Sequence, residues 1–477
     1  MSDFGMKNMG FFGGGSSGGG GGGNAVIILG SGANSSVRCG NLNSASGNYS
    51  ATLGGIQNQN CSTYGFVGGG NGNIAYGSIG STLVGGVTNV ANGDYSFVGG
   101  GKSNHSCSAY SGVLGGQSNC VTSCYSSIVG GLTNTILLPT NNTNSINTTN
   151  LTQSGYGIDG TYSNYSPTDQ TGTGSGATFT FVYSTNSLYS YNIVSSGINY
   201  QVGDLLTFDG TSFGGTSGTD DVILEVTSVT NGDSFIGSGT LNIVNSDLSS
   251  VVGGKSNCVC GNFGFIGGGC NNSASGIYSS VLSGRGNSAN GQFTSILSGI
   301  SNIADTSLGT IVGGAGNYVC CSLSIVGNGQ LNTASNDYSG VFQGRSNTAS
   351  GVRAVILGGA CNIASGNKSV ITYGQSNTAS AYYTFTGNGK LNVASACYSF
   401  VGNGESNTAD GEYSAILGGV SNNTSACSCA MIIGSNITAD RSCTTFVNNL
   451  SIINIPTSSA GLPSGAVYSN LGILTIV

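Results

Sequence analysis

Four close pairs of cysteines, Cys120/Cys124, Cys258/Cys260, Cys320/Cys321 and Cys427/Cys429, have the residue type and proximity to hold a metal or to close disulfides. Their spacings disagree with one another, and no histidine joins them. The one histidine, His105, sits among polar residues, without the partners a metal site or a proton relay needs. A disulfide framework is the mark of a small secreted chain, whereas these 15 cysteines are dispersed through 477 residues and odd in number. Many occupy places where sibling segments carry Ala, Ser or Gly. Cys61, Cys107, Cys260 and Cys320 share one such slot and Cys124, Cys397 and Cys427 another. They read as small buried fillers with free thiols, as in a chain that folds in a reducing cytoplasm.

The carboxylates Asp204, Asp209, Asp220, Asp221 and Glu225 come next. Glycosidic chemistry needs two of them held across a cleft, but Asp220-Asp221 in a Gly/Ser/Thr stretch reads as a solvated turn or a weak calcium contact. Gly13 to Gly23 lacks the Lys-Ser/Thr of a phosphate loop and leads into no helix. No cofactor and no catalytic set is expected, and the chain reads as a non-enzyme. The formal charge of -7, from 10 basic and 17 acidic residues, leaves no basic patch for nucleic acid. No segment has the run of about 20 apolar residues that spans a bilayer. Met1 to Asn24 carries one lysine and no uninterrupted apolar stretch, so no export leader is expected there.

The elements that would position these residues follow from a repeat. With 86 Gly, 4 Pro, no Trp and 6% charged residues, yet 38% hydrophobic residues, the composition suits tight turns joined by apolar strands. Asn43, Asn58, Asn73, Asn89, Asn104, Asn119 and Asn134 recur every 15 residues with a single interval of 16. The series resumes at Asn257 and runs in steps of 15 to Asn422, giving nineteen units. A unit reads Gly-Gly-x-x-Asn-x-Ala-Ser-Gly-x-Tyr-Ser-x-Val-Leu, as in Gly284 to Leu297 with local substitutions. Gly and Asn favour turns, so two short strands per unit are predicted, one coil of a parallel β-solenoid or β-roll in an all-β chain. Stacked coils must keep their hydrogen bonds in step, which explains the constant period and predicts a bulge or wider turn before Asn89.

Apolar pairs such as Val113-Leu114, Ile128-Val129, Val281-Leu282, Ile296-Leu297, Ile311-Val312, Ile356-Leu357 and Ile416-Leu417 close many units. Adjacent strand residues face opposite ways, so one of each pair needs a partner surface and a homo-oligomer is expected. A monomeric solenoid wide enough to bury both is the competing reading.

From Leu137 to Leu248 the period is lost, and alternating strands are predicted at Ala177 to Tyr183, Tyr189 to Val194, Leu205 to Phe208 and Val222 to Val229. The expected organisation is a Gly-rich N-terminal arm (1–24), usable for attachment, a first β-roll (25–136), an inserted small β domain (137–248), a second β-roll (249–440) and a C-terminal β segment (441–477). Insertions into solenoids project sideways and often carry binding. Tyr183, Tyr189, Tyr191, Tyr200, Phe208 and Phe213 are the candidate contacts for a receptor or glycan, with core packing as the alternative role.

The Asn-x-Ala-Ser-Gly-x-Tyr-Ser-x-Val-x-Gly-Gly phrase, over about Ala25 to Thr438 minus the insert, resembles the head repeat of trimeric autotransporter adhesins. That resemblance implies a parallel β-roll forming a tight trimer. The leader, coiled-coil stalk and membrane-barrel anchor of those adhesins are not seen here. Asn454 to Val477, Gly174 to Phe181 and Gly197 to Thr207 are instead similar to segments of tailed-phage structural proteins. Together these imply a virion fibre or appendage, a homotrimer bound to other virion proteins and exposed at the particle surface, with a host receptor or glycan as its target. A cell-surface adhesin and an architectural virion spacer or decoration protein are the alternatives.

Overall fold

The computed structural model describes residues 27–38, 41–137, 145–147, 150–153, 157–171, 175–198, 204–225, 228–230, 233–451 and 453–477. The N-terminal arm and Tyr200 lie outside them. The chain is all-β, a parallel β-solenoid of about 24 turns where the asparagine series predicted about nineteen. Each coil contributes two strands of two residues, for example Ser288–Ala289 and Ser295–Ile296. Each strand pairs in parallel with its counterpart one coil away: Ser288 with Ile303, Ser295 with Thr310.

Alternation decides what is inside. In each strand the second residue points inward, so Ala274, Ala289, Ala304 and Val319 stack along one inner column and Val281, Ile296, Ile311 and Val326 along the other, all fully buried. Fifteen residues per turn leave a cavity that Ala on one side and Val or Ile on the other fill together, which is why the two columns differ in size.

The repeated asparagine does more than turn the chain. The Asn302 side-chain amide donates to the carbonyls of Ser298 in its own coil (3.2 Å) and Gly314 in the next (3.0 Å). Its Oδ1 accepts the backbone N–H of Asn317 at 2.9 Å. The same pattern links the asparagines from Asn43 to Asn422 in one ladder, and it satisfies backbone groups that a corner two residues from the strand would leave buried and unpaired. The ladder corrects one expected boundary. The Asn242 N–H donates to Asn134 Oδ1 at 3.0 Å, and Phe235–Ile236 and Ile243–Val244 pair with Ser127–Ile128 and Thr135–Ile136. The solenoid therefore resumes at 235 rather than 249. The coil is disguised in sequence because Asn242-Ile243-Val244-Asn245-Ser246 replaces the usual Asn-x-Ala-Ser-Gly.

The single 16-residue interval also has a place. Ile74 pairs with Val90 and Phe66 with Thr82, so both ladders stay in register and the extra residue sits in the corner between Ala75 and Thr82. The intervening segment leaves and returns through the same corner, after Thr135–Ile136 and before Phe235–Ile236. One corner of the coil thus takes up added length, because the strands on either side are fixed by neighbours and the corner is not.

At the ends the pattern changes. Ile27–Leu29 runs antiparallel to Ser36–Arg38 and closes the first coil. Met431–Ile433 and Thr445–Val447 extend the other end. Val467–Asn470 and Ile473–Ile476 form an antiparallel hairpin whose two turn residues, Leu471 and Gly472, both have positive φ (50° and 85°), as a twist-matched two-residue hairpin loop requires.

Candidate functional site

Two surfaces of the rod and the intervening segment carry the candidate chemistry. The first surface is an apolar stripe. In the pairs that close the units, the first residue is fully buried, as at Val113, Ile128, Val281, Ile296, Ile311, Ile356 and Ile416. The second, from Leu357 to Leu114, is 37% to 54% exposed. Strand alternation produces this directly: one side chain enters the core and the next leaves it. Leu282, Leu297 and Val312 follow one another on consecutive coils, so the exposed side chains line up along the rod.

The second surface is the corner that takes insertions. Its residues at Tyr49, Tyr64, Tyr95, Tyr110, Tyr125, Phe263, Tyr278, Phe293, Tyr383, Tyr398 and Tyr413 all have φ between 53° and 59°, a strained region for a bulky side chain. Two contacts offset the strain. The backbone N–H of each reaches back to the preceding coil, as from Tyr398 to the Tyr382 carbonyl at 2.9 Å. The rings stack on each other, with Tyr383–Tyr398 centroids 5.3 Å and Tyr398–Tyr413 centroids 4.9 Å apart. Lys368 continues the column with its ammonium 4.5 Å from the Tyr383 ring centroid and bonded to the Tyr383 hydroxyl. That cation holds the Tyr383 phenol below, and the phenol holds Lys368 above, its ordinary pKa. Because the ring faces cover one another, this column offers edges and hydroxyls rather than the open flat faces on which a sugar would stack. The 15-residue recurrence of Tyr in the sequence was the signal for it.

In the intervening segment, Ser175–Ser184 pairs antiparallel with Gly160–Tyr165 and Ser187–Ile198, and Val222–Glu225 pairs with Leu205–Phe208. Ala177, Phe179, Phe181 and Tyr183 alternate into a core shared with Leu206, Phe208, Phe213, Val222 and Leu224. The Phe208 ring lies 4.8 Å from Phe181, and the Phe213 ring 5.3 Å from Tyr183. The candidate contacts therefore separate. Tyr183, Phe208 and Phe213 are core residues, and a receptor could reach them only by unfolding the sheet. Tyr191 packs half-buried against that core, while Tyr189 is 78% exposed. Burial, with Tyr162 and Asp220 nearby, pushes the Tyr183 phenol up to about 12. Phe213→Ala is expected to destabilise this core by about 3–5 kcal/mol, while Tyr189→Ala changes it by less than about 0.5 kcal/mol, as read by thermal unfolding of the two variants.

The acids of the segment staple loops. Asp209 accepts from the Thr211 N–H and hydroxyl and from Ser217, which holds its carboxyl below the usual range. Asp221 Oδ1 accepts the N–H groups of Gly210 and Gly218, both at 2.9 Å, and Asp220 that of Thr216 at 2.8 Å. These oxygens serve the backbone turn, which favours the turn reading over a calcium contact. Among the described residues no group of three or more His, Cys, Asp or Glu is placed to hold a metal, and no helix is long and apolar enough to cross a membrane. His105 lies exposed on the rod.

The cysteines are not where their small-residue neighbours suggested. Cys61 and Cys260 are exposed and Cys107 and Cys320 half-buried, all with free thiols. Their slot follows the inward residue by one, so alternation turns it outward. No protein-family model and no curated protein matches the chain. The reading of function therefore rests on the repeat and its surfaces.

Proposed function

We propose that the chain is the structural rod of a virion fibre or related appendage, assembled as a homotrimer along its outward apolar stripe and supporting attachment to a host surface. The observation that carries the reading is the stripe itself. The coil core is already closed by its two inner columns, so Leu114, Leu282, Leu297 and their apolar counterparts contribute nothing to it and remain half-exposed, on consecutive coils at Leu282, Leu297 and Val312 and with glycine in the same slot at Gly99, Gly267 and Gly402. Exposed apolar side chains recurring at one slot of the coil mark an interface, and a repeat of constant period suits identical neighbours lying parallel in register. The terminal hairpin adds support, because two strands alone are marginal in water and Ile473 and Ile476 are largely exposed.

At about 4.8 Å per coil, about 24 turns give a rod of roughly 115 Å. Such a rod provides reach. The intervening segment enters through one corner, and Tyr189 is its exposed aromatic among the described residues for contact with a receptor or glycan. Other virion proteins would hold one end of the rod.

Sedimentation equilibrium of the purified chain tests the assembly. Three chains per particle are expected, and the double substitution Leu282→Lys with Leu297→Lys is expected to shift the mass toward one chain, since each leucine removed from a buried interface costs about 1.5–3 kcal/mol. A wild-type chain that sediments as a monomer sinks the trimer. Electron microscopy with an antibody against residues 150–240 tests the location: label on regularly placed fibres of virus particles supports the appendage, and label on cell envelopes with bare particles points to a cell-surface adhesin instead.

A further inference from the structure

We infer that Cys258 and Cys260 form an oxidisable dithiol that closes to a labile disulfide within one coil when the rod meets a small-molecule disulfide. Cys258–Val259 is a strand whose second residue is fully buried, so Cys258 and Cys260 on either side of Val259 project from the same outer face. Their sulfurs lie 2.8 Å apart, with both thiols free. The backbone is already fixed: the Cys258 N–H donates to Asn272 and the Cys260 N–H to Ala274, each at 2.9 Å. Closing the bond must therefore draw the two side chains together against a backbone held in the ladder.

The two sulfurs are unequal. Cys260 is exposed, and the hydrogen bond it receives from the Cys258 thiol lowers its pKa to about 7. Cys258, in contact with Cys260 and less exposed, is pushed up. Cys260 is thus the attacking thiolate. It displaces one sulfur of a disulfide R–S–S–R, forming Cys260–S–S–R and releasing R–S⁻. Cys258 then loses its proton to solvent, and its thiolate attacks the Cys260 sulfur, releasing the second R–S⁻. Two protein thiols are oxidised by two electrons and R–S–S–R is reduced to two thiols after protonation.

Geometry also sets the character of the bond. Residues two apart in an extended strand have Cα atoms roughly 6.6 Å apart, at the upper end of the range disulfides span, and same-face Cβ atoms wider apart than the roughly 3.5–4.5 Å a disulfide prefers, so closure must bend the strand locally. Strain of that kind gives an easily reduced, reversible bond. The Cys107 and Cys120 thiols also meet, but they belong to adjacent coils and are offset by two residues. That diagonal of roughly 7–8 Å is beyond the reach of a bridge without backbone movement.

The test uses the full-length chain, reduced, then exposed to glutathione disulfide, alkylated with iodoacetamide, reduced again and labelled with N-ethylmaleimide before peptide mass spectrometry. The expected result is that Cys258 and Cys260 escape the first reagent together and take the second, while the unreduced peptide is lighter by two hydrogens. In Cys258→Ser, Cys260 should instead be trapped as its glutathione adduct, which shows the order of attack without depending on closure. The inference is overturned if both residues alkylate as readily as the exposed Cys361 after oxidation. It is equally overturned if Cys107 and Cys120 close while Cys258 and Cys260 remain free, or if Cys260 is found joined to a second chain.

Discussion

Replacing Asn317 by Leu is expected to destabilise the coils on either side by on the order of 3 kcal/mol or more. Asn317 is 1% exposed. Its amide donates to the Gly313 and Gly329 carbonyls at 2.8 and 3.0 Å, and its Oδ1 accepts the Asn332 N–H at 2.9 Å. Leucine keeps the branched shape but is bulkier and apolar, so the main loss is polar: the Gly313 carbonyl and the Asn332 N–H are left buried without partners, each costing about 1–3 kcal/mol, while the Gly329 carbonyl keeps only the Ala315 N–H. Neighbouring coils stabilise one another through nearest-neighbour contacts, and the defect should spread one coil in each direction before it fades. Hydrogen exchange resolved by peptide is the measurement. Faster exchange is expected from about Asn302 to Asn332, with the remote coils unchanged. Gln330→Leu, on the exposed outer face of the same coils, should alter stability by less than about 0.5 kcal/mol. Equal effects of the two substitutions would mean that the ladder does not hold the coils together.

The second large effect separates two glycines that are neighbours. A Cβ on Gly115 meets nothing within 4 Å, whereas one on Gly116 would overlap the Gly131 carbonyl oxygen and crowd the Asn119 side-chain amide, at a residue whose φ is 89°. Gly116→Ala therefore adds about 1–3 kcal/mol of backbone strain to a clash that only separation of the coils can relieve. Gly115→Ala should be neutral or stabilise by about 0.4–1 kcal/mol by restricting the unfolded chain. Urea unfolding of both single variants checks the contrast, and a Gly116→Ala rod as stable as the wild type would contradict the close stacking of the corners.

Much of the rod was legible because a solenoid writes its third dimension into its period. Residues 15 apart in sequence are neighbours across coils, so Asn272, Asn287 and Asn302 announced the stacking, and the pair Ile296-Leu297 announced one side chain in and one out. In the intervening segment the alternation Ala177-Thr178-Phe179-Thr180-Phe181 marked a half-buried strand for the same reason. The asparagine ladder was less legible. A turn-favouring residue looks the same whether its amide serves its own backbone or the coil above, and the Asn242 coil was hidden because its flanks depart from the repeat.

The sequence by itself determined the coil length, the two strands per coil, the alternation of buried and outward residues and the presence of an interruption, since all of these depend on spacing along the chain. Only the tertiary structure decided which glycine of Gly115-Gly116 is locked, which corner admits added length, that Tyr183, Phe208 and Phe213 are core while Tyr189 is surface, and that the sulfurs of Cys258 and Cys260 meet. Those depend on what the neighbouring coil or the facing sheet places against each atom, and distance between residues far apart or differently turned is a property of the closed fold, not of the interval between them in the chain.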